Sequence, residues 1–361
     1  MSELRKDPIV DRWVIVAAER GRRPHEFEAP PEETPPGAAC PLCEDSERMT
    51  PPEIWAIRPE GSAPDSPGWQ LRVVPNKFPA LRVEGEMNRR GLGIFDLMDG
   101  VGAHEVIVET PEHDWHMADG PDATVERVLR AYQARLTDLY RDQRLRYCVI
   151  FRNHGLDAGA SLSHPHSQII AIPVVPRRVK SKLAAAREYH ERKERCIFCD
   201  IIAQELALRD RIVLESEQFV AIAPFASRFP FELLVLPRQH SHDFAAITDA
   251  GRMALASMLR RCLRALRPAL GHLSYNYVLN VAPNPVPRPG KPDYWTTLHL
   301  DYHWHLEILP RVTRLAGFEW GTGFYVNPVA PEEAAGFLRD VLADQDRAGD
   351  APSVEVSAPG G

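Results

Sequence analysis

The sequence predicts an α+β fold built from two copies of one strand-rich unit, each with a helix packed on its sheet. Three observations carry that expectation. Short alternating or β-branched runs, His104-Glu105-Val106-Ile107-Val108-Glu109-Thr110 being the cleanest, recur along the 361 residues, and side chains two apart on such runs share a face. Thirty-three prolines disfavour a helical bundle. The order of features in the first half also begins again near residue 196.

Taken in order, Asp11 to Ala18 reads as a first strand. The basic run Arg20-Gly21-Arg22-Arg23 follows, a solvated surface by default and an anion clamp if it lies beside a phosphate site. Pro24 to Ala39 is an extended Pro- and Glu-rich loop, and Cys40-Pro41-Leu42-Cys43 comes next. Leu71 to Leu81 is a strand breaking into a turn, and the strand His104 to Thr110 leads into Pro111-Glu112-His113. Val125, Val128, Leu129, Tyr132, Leu136 and Leu139 recur at helical spacing, which predicts an amphipathic helix from about Ala123 to Arg141. Two apolar runs, Tyr147 to Phe151 and Ile169 to Val174, enclose a small polar loop.

Arg177 to Arg195 is a charged helical linker, after which the features repeat. Cys196-Ile197-Phe198-Cys199 echoes the first cysteine pair, and Phe219 to Pro224 echoes Val73-Val74-Pro75. Leu233 to His240 echoes Val106 to His113, a second helix runs from Ile247 to Leu266, and Tyr277-Val278-Leu279 echoes Tyr147-Cys148-Val149. His303-Trp304-His305-Leu306-Glu307 echoes His164-Pro165-His166-Ser167-Gln168. Gly317 to Pro328 is strand-like, and Pro331 opens a short helix, Glu332 to Leu342. The organisation expected is a catalytic half over residues 1–177, a degenerate half over 178–345 and a disordered polar tail over 346–361.

Composition narrows the function. With 44% hydrophobic and 26% charged residues the chain is of soluble globular type. A net charge of −7 gives no general pull toward nucleic acid or an anionic membrane. The amino terminus has no apolar leader and no run reaches spanning length, so a cytoplasmic protein without membrane contact is expected. In such a compartment the two Cys-x-x-Cys pairs read as metal knuckles, with redox dithiols as the rival, whereas Cys148 and Cys262 sit in apolar runs as core thiols.

The chemistry concentrates in one stretch. On an extended strand His164, His166 and Gln168 stand in a row on one face. An imidazole can attack phosphorus and later leave, supporting group transfer in two steps. A neutral amide beside it donates to a phosphate oxygen without adding negative charge. Gly155, Gly159 and Ser161 leave room for a phosphate to approach. The competing reading is a loop of ordinary surface or metal-binding histidines. In half two His305 and Glu307 take the corresponding places, and a carboxylate there would repel phosphate, so half one is the candidate for chemistry.

Each half also offers a tetrahedral donor set: Cys40, Cys43, His113 and His164 in one, Cys196, Cys199, His240 and His303 in the other. Four protein donors of this type mark a structural zinc site, so one or two zinc ions per chain are expected. His116 and His242 are neighbouring substitutes.

Arg72-Val73-Val74-Pro75-Asn76-Lys77-Phe78-Pro79 and Gly159-Ala160-Ser161-Leu162-Ser163-His164-Pro165-His166-Ser167-Gln168 closely resemble the galactose-1-phosphate uridylyltransferase family, a branch of the histidine-triad superfamily. The resemblance runs from Asp7 to about Val341. It implies two tandem histidine-triad-like repeats forming an antiparallel sheet with helices on it, a homodimer, and a ping-pong mechanism. His166 would attack the α-phosphorus of a nucleoside diphosphate sugar, and a sugar 1-phosphate or phosphate would capture the nucleotidyl group. Gln168, Ser161 and Asn153 match positions that contact the transferred phosphate, Asn76 a nucleoside contact, and Arg20 and Arg23 basic positions near the nucleotide. Glu319 matches one member of a Glu…Gln pair that holds the hexose phosphate, but Gly321-Thr322-Gly323 stands where the glutamine should follow. Gly317-Phe318-Glu319-Trp320-Gly321-Thr322-Gly323 and the second cysteine pair look more like an ADP-glucose phosphorylase-like branch. The expectation is therefore a UDP-glucose–hexose-1-phosphate uridylyltransferase of galactose metabolism. The alternatives are an ADP-glucose phosphorylase-like adenylyltransferase, a dinucleotide hydrolase and a zinc-dependent binding module; the last would want a basic face that this acidic chain lacks.

Overall fold

The structure, a computed structural model, describes residues 2–17, 40–271, 274–287 and 295–349. The first half contains β1 (Glu3–Lys6), β2 (Trp13–Val16), β3 (Trp55–Ile57), β4 (Leu71–Pro75), the small hairpin β5 (Arg90–Leu92) and β6 (Phe95–Leu97), β7 (Ala103–Val108), α1 (Asp122–Leu139), β8 (Tyr147–His154) and β9 (His166–Ile172). Helix α2 (Arg177–Lys193) leads into α3 (Ile197–Leu208), β10 (Ile212–Glu215), β11 (Phe219–Ile222), β12 (Leu233–Pro237), α4 (Asp249–Leu270) and β13 (Tyr275–Asn280). Then come α5 (Leu298–Asp301), β14 (His305–Pro310), α6 (Gly317–Thr322), β15 (Tyr325–Asn327) and α7 (Pro331–Gly349).

Ten strands form one sheet in the order β10-β11-β12-β14-β13-β8-β9-β7-β4-β3. The order is palindromic: β8 matches β13, β9 matches β14, β7 matches β12, β4 matches β11 and β3 matches β10. Every neighbouring pair is antiparallel, and the two halves meet where β13 pairs with β8, from Tyr275 against His154 to Leu279 against Ile150. The pseudo-twofold therefore lies between the two central strands, and each half brings its His-x-His strand next to that seam.

Strand alternation sends opposite residues to opposite faces. Ile107, Ile150, Ile169, Tyr277 and Ile308 point to the face covered by α1 and α4, whose Val125, Leu129, Leu259 and Leu263 bury against them in the main core. The hydroxyl of Thr248 caps α4 by accepting from the Gly251 amide at 3.0 Å. On the other face the halves diverge. In half two Val220, Ile222, Leu234 and Leu236 are roofed by Ala186 of α2 and by Ile197, Phe198 and Ile202 of α3. In half one Val149 and Phe151 are only partly buried on the same face, so that half of the sheet stays open.

Several expectations shift. Helix α3 begins within the second cysteine pair, where a knuckle alone was expected. Gly317 to Pro328 is not one strand: α6 forms first because the Glu319 carboxylate accepts from the Ala316 amide at 3.0 Å, and Gly323 at φ +73° ends it before β15. Helix α7 continues to Gly349, past the boundary expected at 345, because Asp346 pairs with Arg261 and Gln345 donates to the Arg264 carbonyl, tying its end to α4. Residues beyond 349 lie outside those described. The echo of Tyr277 with Tyr147 is displaced by three residues, since the pseudo-twofold makes Tyr277 the equivalent of Ile150: Tyr277 pairs with Ile308 as Ile150 pairs with Ile169. No helix among the described residues is long and apolar enough to cross a membrane.

Candidate nucleotidyl-transfer site and metal centres

His166 opens β9 at the site end of the central strands and is buried. Its Nδ1–H donates to the His164 carbonyl at 2.8 Å. This bond fixes the tautomer and leaves the Nε2 lone pair bare on the open face, bonded to nothing among the described residues. Burial holds the imidazole below its ordinary pKa, so the ring is neutral near pH 7. Beneath the sheet the Glu109 carboxylate, fully buried, pairs with Arg152 at 3.1 Å.

Two amides flank the ring. Gln168 lies two residues along β9 on the same face, and its Oε1 stands 2.8 Å from His104 Nε2. The Ala80 amide donates to His104 Nδ1 at 3.2 Å, which leaves the ring proton on Nε2 to bond Gln168. The Gln168 NH₂ is thereby turned away from His104. Asn76, just after β4, stands 3.1 Å from the same His104 nitrogen. On the other side Phe151 pairs with Gln168, so one more step along that face brings Asn153 beside His166. Asn153 Oδ1 accepts from Asn276 Nδ2 at 2.8 Å, and Arg311 Nε in turn donates to Asn276 Oδ1. An arginine can only donate, so both amide orientations are set and the Asn153 NH₂ is left for the site.

The remaining expected contacts are not assembled to the same degree. Ser161 is exposed on the loop before β9. Glu319 caps its own helix and joins no group of the site among the described residues. Arg20 and Arg23 lie outside the described residues. Gly155 has a structural reason of its own: φ is +86°, and a Cβ would come within 2.1 Å of Ser274 Oγ.

Both expected donor sets are assembled. In each, the four ligand atoms lie within 4.8 Å of one another: Cys40, Cys43, His113 and His164 in half one, and Cys196, Cys199, His240 and His303 in half two. In the first, Cys43 Sγ is 3.2 Å from His113 Nδ1 and 3.5 Å from His164 Nδ1. In the second, Cys199 Sγ is 3.5 Å from His240 Nδ1 and 3.7 Å from His303 Nδ1. Every Nε2 faces outward, to Ser163 Oγ at 3.0 Å, the Thr110 carbonyl at 2.9 Å, the His299 carbonyl at 3.1 Å and the Pro237 carbonyl at 2.9 Å. Where the outer partner is a carbonyl, in three of the four, the proton must sit on Nε2 and the Nδ1 lone pair turns inward, as a metal ligand requires. Burial and the neighbouring Cys40 push the Cys43 thiol up to about 11, a strain that a bound cation relieves. The sets therefore fit a tetrahedral metal ion. His116 and His242 stand apart, edge-on to His154 and His299.

Half two repeats the backbone and inverts the charge. His305 Nδ1 donates to the His303 carbonyl at 2.9 Å, as His166 does to His164. Its Nε2 is not bare: Lys182 of α2 stands 2.9 Å away and also bonds Glu307 and, at 3.1 Å, Asn280 Oδ1. Asn280 pairs with His305 and is the counterpart of Asn153. Arg228 bridges Glu307 at 2.7 Å and Glu232 at 2.6 Å. Although burial opposes ionisation, Lys182 and Arg228 hold the Glu307 carboxyl well below the carboxylate range. Lys182, His104, Asn276 and Arg311 were not singled out from sequence, because each acts through a partner distant in the chain.

The family model for galactose-1-phosphate uridyl transferase, N-terminal domain, matches residues 1–176, and that for a domain of unknown function (DUF4921) matches residues 122–357. An ADP-glucose phosphorylase of Arabidopsis thaliana is 35% identical over 345 residues, covering 94% of this chain and 93% of that one. A galactose-1-phosphate uridylyltransferase of Thermotoga maritima is 29% identical over 347 residues, covering 94% and 98%. Among solved structures, the Arabidopsis thaliana ADP-glucose phosphorylase with bound ADP-glucose superposes with a TM-score of 0.79 at 32% identity, covering 94% of this chain and 98% of the other. A uridylyltransferase structure gives 0.71 at 28%, covering 96% and 99%.

Proposed function

The chain belongs to the galactose-1-phosphate uridylyltransferase family and is a nucleotidyl-transferring enzyme, and from that premise we propose that it works through a covalent nucleotidyl-His166. The donor is a nucleoside diphosphate sugar and the acceptor a phosphate oxygen. One observation carries the reading: a neutral imidazole, locked with Nε2 bare, lies on an open sheet face between two amides whose NH₂ groups are free to donate.

In the first step His166 Nε2 attacks the α-phosphorus, the bond to the bridging oxygen breaks, and sugar 1-phosphate leaves. In the second a phosphate oxygen attacks, the P–N bond breaks, and His166 is restored. As Nε2 bonds to phosphorus the ring becomes cationic, and the His164 carbonyl on Nδ1–H stabilises that charge. Gln168 and Asn153 donate to the non-bridging oxygens of the transferred group, and Asn76 sits where the nucleoside would extend. Cys40, Cys43, His113 and His164 would hold one zinc ion, and Cys196, Cys199, His240 and His303 a second. All four positions of each are protein donors, so the role of such an ion would be structural: the His164 side chain would be anchored, and its carbonyl orients His166.

Within this chemistry phosphorolysis of ADP-glucose, the alternative named from the sequence, is the reaction favoured here, and uridylyl transfer between hexose phosphates stays compatible with the same site. The 35% identity and TM-score of 0.79 to an ADP-glucose phosphorylase support phosphorolysis, as does the engagement of Glu319 in capping α6 with no glutamine following. The test is to incubate purified protein with ADP-glucose or UDP-glucose labelled at the α-phosphorus, then with inorganic phosphate or sugar 1-phosphate. Label should attach to His166 and be released as ADP by phosphate. Exclusive turnover of UDP-glucose with a sugar 1-phosphate would restore the uridylyltransferase reading, and no covalent label with either donor would end both.

A further inference from the structure

Arg311, immediately after β14, is a half-buried arginine on the site face without a carboxylate partner among the described residues. Its Nε is used by Asn276 Oδ1, and its two terminal nitrogens bond nothing among the described residues. The more deeply buried arginines are neutralised: Arg152 by Glu109, Arg211 by Glu205 and Glu332, Arg228 by Glu232 and Glu307. Arg127 is half-buried and also lacks a carboxylate partner among the described residues, but it lies on α1 over the opposite face of the sheet. Burial and the nearby Arg228 depress the Arg311 pKa, as expected for a cation short of an anion.

Its position says which anion. The row across the site end of the sheet runs from His166 on β9 to Asn153 on β8, Asn276 on β13 and then the Arg311 guanidinium. With strands about 4.8 Å apart, the guanidinium stands roughly 10 Å from the His166 strand, a separation that a diphosphate bridges once the attack distance at one end and a hydrogen bond at the other are included. A planar guanidinium with free terminal N–H groups suits a phosphate in the forked geometry that lysine cannot offer. Resting on the nucleotidyl-transfer reading above, we infer that Arg311 receives the phosphate of the second substrate: the sugar 1-phosphate as it leaves and the phosphate that replaces it as acceptor. The Asn276 bond holds the guanidinium in place and ties its position to the amide beside the transferred group.

Water needs no anion receptor, so it supplies the control. Wild-type and Arg311→Gln enzymes are loaded with labelled nucleotide at saturating donor and freed of small molecules. Decay of the nucleotidyl-enzyme is then followed in water alone and with inorganic phosphate. Glutamine keeps an N–H for Asn276 but no charge. The ratio of phosphate capture to hydrolysis should fall by about tenfold or more, the scale of one charge-assisted hydrogen bond, and Arg311→Lys should recover part of it. If capture and hydrolysis fell together, Arg311 would act only through Asn276 and Asn153, and the inference would be overturned; an unchanged ratio would overturn it equally. A second readout needs no variant: inorganic phosphate should protect Arg311 of the wild-type enzyme from an arginine-selective dicarbonyl reagent, mapped by mass spectrometry, and modification at an undiminished rate would count against it. Failure of the wild-type enzyme to take up label would instead sink the nucleotidyl-histidine reading on which the inference rests.

Discussion

At the scale of single residues, the difference between the halves is one amide against one carboxylate. Gln168 and Glu307 occupy matching positions, but the first bonds the His104 ring and the second sits between Lys182 and Arg228. His166→Ala should abolish covalent labelling while leaving metal content and thermal unfolding as in wild type; labelling near the wild-type level would show that another group is the nucleophile. Gln168→Glu should slow formation of the nucleotidyl-enzyme by about 100-fold or more, because a lost donor and a gained negative charge both oppose the phosphate. Single-turnover labelling measures it, and a rate within a few-fold of wild type would mean that Gln168 does not touch the transferred group.

Among the elements, α2 distinguishes the two halves of the sheet. It closes the half-two face with Ala186 and sends Lys182 into the place where half one leaves its site open. Lys182→Met should destabilise the protein by about 2 kcal/mol, less than the penalty for a fully orphaned buried carboxylate because Arg228 still faces Glu307. Urea unfolding reads the loss, and His166 labelling should persist in the folded protein. A fall in labelling without a fall in stability would instead put half two in the chemistry. The cysteine pairs join elements in the same way: the first set binds the turn at Cys40–Cys43 to His113 after β7 and His164 before β9. Elemental analysis should find up to two zinc ions per chain, and Cys40→Ser should remove one and lower the melting temperature. A metal-free protein equally stable after chelation would contradict both centres.

For the whole molecule, burial of neutral histidines couples the fold to pH. Burial holds His305 at about 4 and His154 at about 2, against about 6.5 in the unfolded chain. Between those values the unfolded state binds more protons, so stability is full above pH 6.5 and falls as the pH drops, by up to about 1.4 kcal/mol per histidine per pH unit. Thermal unfolding at pH 7 and pH 5 should show a clear drop, and equal melting temperatures would contradict neutral burial. What the sequence by itself determined is periodic or local: strands by alternation, α1 by helical spacing, α4 and both Cys/His donor sets by repeated order, and the row His164, His166, Gln168 by the two-residue repeat of a strand. A resemblance of motifs added Asn76 and Asn153, which stand beside that row. The strand-like reading of Gly317 to Pro328 failed because one cap, Glu319 on the Ala316 amide, outweighs weak alternation. Only the tertiary structure decided which half stays open, that Lys182 fills the other, and that Asn276 and Arg311 orient Asn153. Those facts depend on groups from 35 to 123 residues apart meeting across a sheet, and a linear pattern encodes such meetings only through the packing of the whole fold.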